Sequence, residues 1–373
     1  MTQPPPPPLP SFWHARRVLV TGHTGWMGSW LCAWLRSLGA RVYGYALPAG
    51  YPSLCRAAGV ERAMVAVHGD LRDAAALEGV VRAAAPEVVF HLAARPTRGG
   101  HPQPGDAGGA AATAGLLHAI RLSPSARAVV VVARGRGDPG GESGDGWREG
   151  HAPGAGHAAA GPAGPGSRTA GFPGGDGPAI VTAWAGSVIG GGDWAPGRLV
   201  PGLVRAFVAG VPAEIHAPES VRAWQHVLDP LHGCLCLAMR LWDDPRGAEG
   251  AWELCHPHGH RATVLELARR FASAWGGLAM LRVDPPSGAP REAVVPPLDA
   301  AGAGERLGWA PLLPLDEAVR WTADWYRAWS RDPASCAQAT AAQLQDFTAR
   351  IDALGRMPLA PAATPPAEKG EPA

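Results

Sequence analysis

"VLVTGHTGWMGSWLCAWLRSLGA", residues 18–40, is the stretch whose reading decides the fold. Val18, Leu19 and Val20 make a short apolar run of the kind that becomes a buried strand. Met27, Trp30, Leu31, Trp34, Leu35 and Leu38 then recur at helical spacing, and Gly39 supplies a stop. Between strand and helix, Gly22, Gly25 and Gly28 stand three apart. Such a turn lets backbone approach a pyrophosphate while the amides of a helix N-terminus point at its charge. In a chain with 50 glycines the spacing alone says little; the strand before it and the amphipathic helix after it give it weight. The candidate cofactor-binding residues of the turn are Gly22, Thr24, Gly25, Trp26, Met27 and Gly28.

Outward from this unit, apolar runs at Val42–Tyr45, Val65–Val67, Val88–Leu92, Val129–Val132 and Ile180–Thr182 alternate with helical segments. That alternation implies right-handed crossovers and an α/β, Rossmann-type doubly wound parallel sheet. Beyond Gly190 the pattern turns helical, over Leu199–Val208, Val227–Leu241, Val264–Trp275 and Leu315–Trp329. In the last of these Leu315, Ala318, Val319, Thr322, Trp325, Tyr326 and Trp329 share one face. The expected organisation is a Pro-rich arm (1–13), a dinucleotide-binding domain (14–190), a smaller, mainly helical substrate-binding lobe (191–350) and a disordered tail (351–373). Within the first domain, nearly half of residues 133–178 are Gly or Pro.

Composition bounds the partners. A net charge of +1, spread without a basic block, argues against nucleic acid and membrane surfaces and for small molecules. No apolar run is long enough to span a bilayer, no signal-peptide pattern opens the chain, and the six cysteines are dispersed apart from Cys234 and Cys236. A cytoplasmic protein with reduced thiols is expected. Asparagine is absent, and the sole lysine is Lys369 in the tail. The cluster Cys255, His256, His258 and His260 has a metal-binding composition, but alternating loop spacing closes poorly on an ion, and no metal site is expected.

The cofactor site continues past the turn. An acid about 20 residues on would accept from an adenosine ribose, yet no Asp or Glu occurs between Gly28 and Glu61, so NAD and NADP are not distinguished. Asp70, followed by Leu71 in "HGDLRD", either accepts from an adenine amino group or caps a helix. Leu92, Ala93 and Ala94, at the end of the fourth strand, are small enough for a cofactor to lie against, and core packing explains them equally.

The segments "RVLVTGHTGWMGSWLCAWLRSLGARVYGYAL", "PSLC", "GDLRD", "VVFHLAARP", "VIGGGDWAPGRLVPGLVRAF", "VRAWQHVLDPLHGCL" and "RLGWAPLLPLDEAVRWTADWYRAW" resemble, in order, the extended short-chain dehydrogenase/reductase family, and within it the CDP-glucose 4,6-dehydratases. They span most of residues 12–330, and "GGGDW" and "WQHVL" are narrow signals. The resemblance implies NAD, a homodimer, and a nucleotide sugar such as CDP-glucose. It also implies hydride removal from sugar C4, loss of water across C5 and C6, and hydride return to C6. By the same resemblance Asp193, Trp194, Arg198, Arg222, Gln225 and His226 are the substrate-binding candidates, arginine suiting a diphosphate through its bidentate fork.

The family's catalytic groups are missing. Its Thr-Ser-Asp-Lys run aligns with Ala133, Arg134, Gly135 and Arg136, and its Tyr-x-x-x-Lys with Ala160 and Gly164. Its asparagines after strands four and six align with Gly109 and Ser187. Arg136 keeps a charge but cannot cycle protons; His151 and His157 have suitable intrinsic pKa values for a base, although a solvated loop is the commoner place for such histidines. Pro162 and Pro165 would each break the family's catalytic helix, which also forms much of its dimer interface, at about 3 kcal/mol. The expectation is a dehydratase-like protein that binds its ligands with catalysis impaired or absent. The competing expectations are an active dehydratase or epimerase using other acid–base groups, and a central segment read out of frame.

Overall fold

The computed structural model describes residues 9–93, 107–134, 177–245, 248, 250–255, 261–277, 279–283 and 301–355. In chain order the elements begin with α1 (Leu9–Trp13), β1 (Arg17–Thr21), α2 (Trp26–Ser37), β2 (Arg41–Ala46), α3 (Leu54–Ala57), β3 (Val65–His68), α4 (Ala74–Ala84) and β4 (Val88–His91). They continue with α5 (Ala107–Arg121), β5 (Ala128–Arg134), β6 (Ala179–Ala185), β7 (Ser187–Ile189), α6 (Leu199–Ala209), β8 (Ala213–Ile215) and β9 (Val221–His226). The remainder are α7 (Leu228–Asp243), β10 (Gly250–Leu254), β11 (Arg261–Thr263), α8 (Val264–Trp275), β12 (Leu281–Val283), α9 (Ala301–Leu307), α10 (Leu315–Arg331) and α11 (Cys336–Gly355).

Seven strands form one sheet in the order β10-β6-β5-β4-β1-β2-β3, every neighbouring pair parallel. The doubly wound α/β architecture read from the alternating pattern is therefore present. Val18 of β1 pairs with Val42 on one side and Val88 on the other, which makes β1 and β4 the central pair. The chain winds outward from β1 through β2 to β3, then returns to β4 and winds the other way. Strand order reverses between β1 and β4, and the glycine turn leaves β1 at that point.

Alternation along the strands divides the core. Val18 and Val20 face a large cluster with Trp30, Trp34, Leu231, Trp325 and Phe347, whereas Leu19 faces a smaller one with Leu77, Val81, Val89 and Ile120. The four inner sheet positions of β4, Val88 to His91, are all buried, which is why that strand reads as a continuous apolar run ending in a histidine. β3 is an edge, and Val65 and Val67 on it remain substantially exposed.

Three expected boundaries are corrected. The Pro-rich arm stops short of residue 13: Leu9–Trp13 form α1, and Leu9, Phe12 and Trp13 are buried, Trp13 lying 5.9 Å from Phe90 between ring centroids. Burial of two aromatic rings and a leucine outweighs the extended bias of the prolines before them. The split at 190 is not a clean domain boundary, because β10 pairs with β6 and α7 packs on β5 and β6. Residues 351–355, expected in the tail, belong instead to α11, which runs to Gly355 and buries Cys336, Leu344 and Phe347. The cluster His256, His258 and His260 lies outside the described residues.

Candidate functional site

The turn after β1 is held by its own backbone. Gly22 N–H donates to the Tyr45 carbonyl (2.9 Å) and its carbonyl accepts from Gly25 N–H (3.0 Å). Gly22 takes φ +79°, and a Cβ there would stand 2.7 Å from the backbone nitrogen of Ala93. A Cβ at Gly28 would fall on the Gly22 carbonyl oxygen, with the carbonyl carbon at 2.9 Å and His23 Cα at 3.0 Å. These glycines therefore serve two close approaches: turn against the exit of β4, and helix against turn. α2 starts with no acid in its first turn and no side-chain cap at Gly25, and its first intrahelical bond runs from Ser29 N–H to the Gly25 carbonyl (2.8 Å). The amides of Trp26, Met27 and Gly28 precede that bond, leaving a positive helix end. Thr24 turns aside and donates to the Leu47 carbonyl at 2.8 Å.

The "GGGDW" segment meets this helix directly. Trp26 and Trp30 both donate their indole N–H to the Gly191 carbonyl, at 2.8 and 2.9 Å. Gly191 in turn lies so close to α10 that a Cβ would stand 2.6 Å from Trp325 Cβ and overlap its ring. Buried Asp193 accepts from Arg198 (2.5 Å) and from Ala195 N–H (3.1 Å), while its carbonyl accepts the Tyr326 hydroxyl (2.5 Å). Trp194 packs its ring 4.3 Å from that of Trp329 and 5.3 Å from Tyr326. The Arg198 guanidinium lies 5.7 Å from the Trp26 ring, so the first three substrate-binding candidates and the glycine-turn helix form one contiguous group.

The candidates on β9 divide differently. Gln225 and His226 are buried; Gln225 donates to the Leu254 carbonyl at 2.7 Å. His226 accepts from Leu228 N–H at 3.4 Å, stands edge-on to Trp30 and Trp321, and burial pulls its pKa down to about 3. Arg222, nearer the start of β9, is half-buried with its guanidinium 6.0 Å from the Trp224 ring.

On the other flank, the Asp70 carboxylate is clasped by Arg72 through Nε (3.0 Å to each oxygen), Nη2 (2.5 Å) and the backbone amide (2.9 Å). The helix cap considered for Asp70 belongs instead to Asp73, which accepts from Ala76 N–H at 3.0 Å, because α4 begins at Ala74. Leu71, Leu92 and Ala93 are half-buried; Ala94 lies outside the described residues. His91, buried at the end of β4, bridges Thr21 (2.6 Å) and Thr113 (3.0 Å), and burial lowers its pKa to about 4.

One grouping escaped the sequence reading. Glu61, the first acid after the turn, reaches back to His23 inside it (2.8 Å) and also meets His68 at the end of β3 (2.8 Å). The partners are 38 and 7 residues from Glu61, and no local spacing pattern joins them. Burial lowers the His23 pKa, its Glu61 partner opposing the shift, while hydrogen bonds from both histidines hold Glu61 below the usual carboxylate range against its own desolvation.

At the end of β5, Ala133 and Arg134 pair with Trp184 and Ala185, while Gly135, Arg136, Ala160 and Gly164 lie outside the described residues. All four tyrosines of the chain are described. Tyr45 donates to the Asp70 carbonyl (2.9 Å), Tyr326 to the Asp193 carbonyl, Tyr43 lies on β2, and Tyr51 is 84% exposed beside a cis proline. Burial raises the pKa of both Tyr45 and Tyr326.

The parallel sheet, with a glycine turn at its point of strand reversal, places the chain among Rossmann-type α/β proteins. The model of the NAD dependent epimerase/dehydratase family matches residues 18–133. CDP-glucose 4,6-dehydratase of Salmonella typhimurium is 33% identical over 335 residues, covering 86% of this chain and 93% of that one. The chain belongs to the NAD-dependent epimerase/dehydratase family. Among solved structures, the fold is similar to UDP-glucose 4-epimerase from Thermotoga maritima with UDP-glucose (TM-score 0.66, 21% identity, covering 83% of this chain and 98% of that one). It is also similar to dTDP-glucose 4,6-dehydratase from Bacillus anthracis in complex with NAD (TM-score 0.63, 17% identity, 84% and 97% covered). No described helix is long and apolar enough to cross a membrane.

Proposed function

We propose that this protein binds NAD and a nucleotide sugar of the CDP-glucose type without performing the family's dehydration at an ordinary rate. The observation that carries the reading is the contrast between a built ligand cradle and the replacement of the family's acid–base residues by Ala133, Gly135, Ala160 and Gly164 at the aligned positions. The cradle fits a dinucleotide: Gly22 and Gly28 occupy positions a Cβ would fill, and the first turn of α2 carries no acid of its own to compete with a pyrophosphate. On the sugar side, Asp193 orients Arg198 next to Trp26, which suits a guanidinium that must present two parallel donors to a diphosphate. The 33% identity to a CDP-glucose 4,6-dehydratase favours CDP-glucose over other nucleotide sugars.

Bound NAD supplies a hydride acceptor; this chain must supply the base. A phenol serves that purpose when a neighbouring cation lowers its pKa. Here the sole lysine is Lys369, and both buried phenols are engaged as donors to carbonyls and pushed up by burial. Each missing acid–base group removes a factor of roughly 10²–10⁴ in rate.

The test is incubation of the purified protein with CDP-glucose and NAD, with 4-keto product followed by mass spectrometry and ligand binding followed by thermal shift. Stabilisation by ligand without product supports the reading. Product formed at the rate of an active family member overturns it and makes the chain a dehydratase working through other groups.

A further inference from the structure

His23, Glu61 and His68 come from three separate elements and converge beside the glycine turn. Their ligand atoms, His23 Nε2, Glu61 Oε1 and His68 Nε2, all lie within 4.8 Å of one another. From this juxtaposition the geometry points to a divalent transition-metal site of the two-histidine, one-carboxylate type, taking Zn²⁺ or a similar first-row ion. It stands independently of the dinucleotide reading.

Three protein ligands with room for a water is the arrangement of open zinc sites, and ligand atoms at about 2.0–2.2 Å from one ion sit about 3.3 Å apart in a tetrahedron. The two nitrogen-to-oxygen separations here are both 2.8 Å and must widen by about half an ångström around an ion, while the two histidine ligand atoms, within 4.8 Å of each other, settle to the same spacing. The cluster is able to give that much. Glu61 and His68 are accessible at 32% and 44%, whereas His23 is fully buried and fixes the position of the third ligand.

The rigidity of His23 has a visible cause. Its ring lies over Gly44 of β2, where a Cβ would stand 2.6 Å from His23 Cγ and Nδ1, so the strand leaves out a side chain to admit the imidazole. The two imidazole planes are within 7° of parallel, with centroids 6.1 Å apart, and the shared carboxylate oxygen is within reach of both. Two neutral imidazoles and one carboxylate carry a single negative charge, which a dication complements, and nitrogen ligands select a transition ion over Mg²⁺ or Ca²⁺. A plain hydrogen-bonded trio is the competing explanation of the same contacts, and affinity for an ion separates the two.

Chelator-stripped full-length protein is titrated with Zn²⁺ against a chromophoric chelator, and with Co²⁺ while its visible absorption is recorded. One equivalent with a tetrahedral or five-coordinate Co²⁺ spectrum is expected. His68→Ala and Glu61→Gln, both at accessible positions, should each weaken binding at least tenfold while circular dichroism stays that of the parent. A variant with His256, His258 and His260 replaced by alanine tests the competing cluster and should bind as the parent does. Absence of binding, binding unchanged by His68→Ala and Glu61→Gln, or binding lost only in the triple variant overturns the proposal.

Discussion

Replacing glycine by alanine in a helix ordinarily stabilises it by about 1 kcal/mol, because the backbone loses less entropy on folding. Two glycines of this protein should answer that substitution with opposite signs. Gly79 lies inside α4, and a Cβ there would meet nothing within 4 Å, so Gly79→Ala should raise stability by ~0.5–1 kcal/mol. Gly28 lies in the first turn of α2, where the added methyl lands on the Gly22 carbonyl and within 3.0 Å of His23 Cα. Both obstacles are backbone, so no side-chain rotation relieves them, and moving α2 away would break the paired indole contacts to Gly191. Overpacking of this kind costs ~1–3 kcal/mol, which exceeds the propensity gain. Gly28→Ala should therefore lower stability by ~1–2 kcal/mol, and by widening the turn it should abolish any thermal shift produced by NAD. Urea denaturation of parent and both variants measures the signs. Gly28→Ala at or above parental stability, with the NAD response intact, would refute the close-packed turn as the physical reason for glycine there.

Other outcomes follow from buried charge and from capping. Burial depresses His91, His226 and His232 to about 4, 3 and 4, so their contribution is fully present above the unfolded pKa near 6.5 and is lost as pH falls toward 4. Asp229 opposes them: burial pushes it up to about 7, so it favours the fold below its unfolded value and disfavours it as pH rises through 7. The three histidines outweigh it, and urea titrations should show a net loss of roughly 3 kcal/mol between pH 7 and pH 5; unchanged stability over that interval would contradict neutral buried imidazoles. Thr263→Ala removes one half of the capping box with Glu266 at the start of α8 and should cost ~1 kcal/mol, read as a shifted denaturation midpoint with unchanged slope. Asp193→Ala leaves Arg198 without its charged acceptor and should cost ~2 kcal/mol, together with any thermal shift caused by CDP-glucose.

The sheet was legible because its inner strands, such as β4 and β6, are buried on both faces and its helices on one. A continuous apolar run and a 3.6-residue period are local signals, and α8 in particular falls on Val264–Trp275 as its pattern predicts. The elements missed were those whose partners are remote. α11 carries alanine, glutamine and threonine along most of its length and is fixed by contacts such as Trp34 Nε1–H to Thr348 (3.0 Å), 314 residues apart. β10 is recognisable only once β6 exists for it to pair with. The same rule governs the site. The glycine turn could be read because strand, turn and helix are consecutive, and the buried state of Gln225 and His226 could not, because the tryptophans that enclose His226 come from α2 and α10. His23, Glu61 and His68 were invisible for that reason also.

The pairing of β10 with β6 bears on how the polypeptide is made. When synthesis has reached Gly190, β6 has a neighbour on one side and a bare row of amides and carbonyls on the other, and that row waits for residues 191–249 to be added before Gly250–Leu254 emerge to cover it. An uncovered inner strand is a template for intermolecular pairing. A fragment ended at 190 should consequently precipitate on expression, and the nascent chain should rely on holdase chaperones until its later half is released from the ribosome.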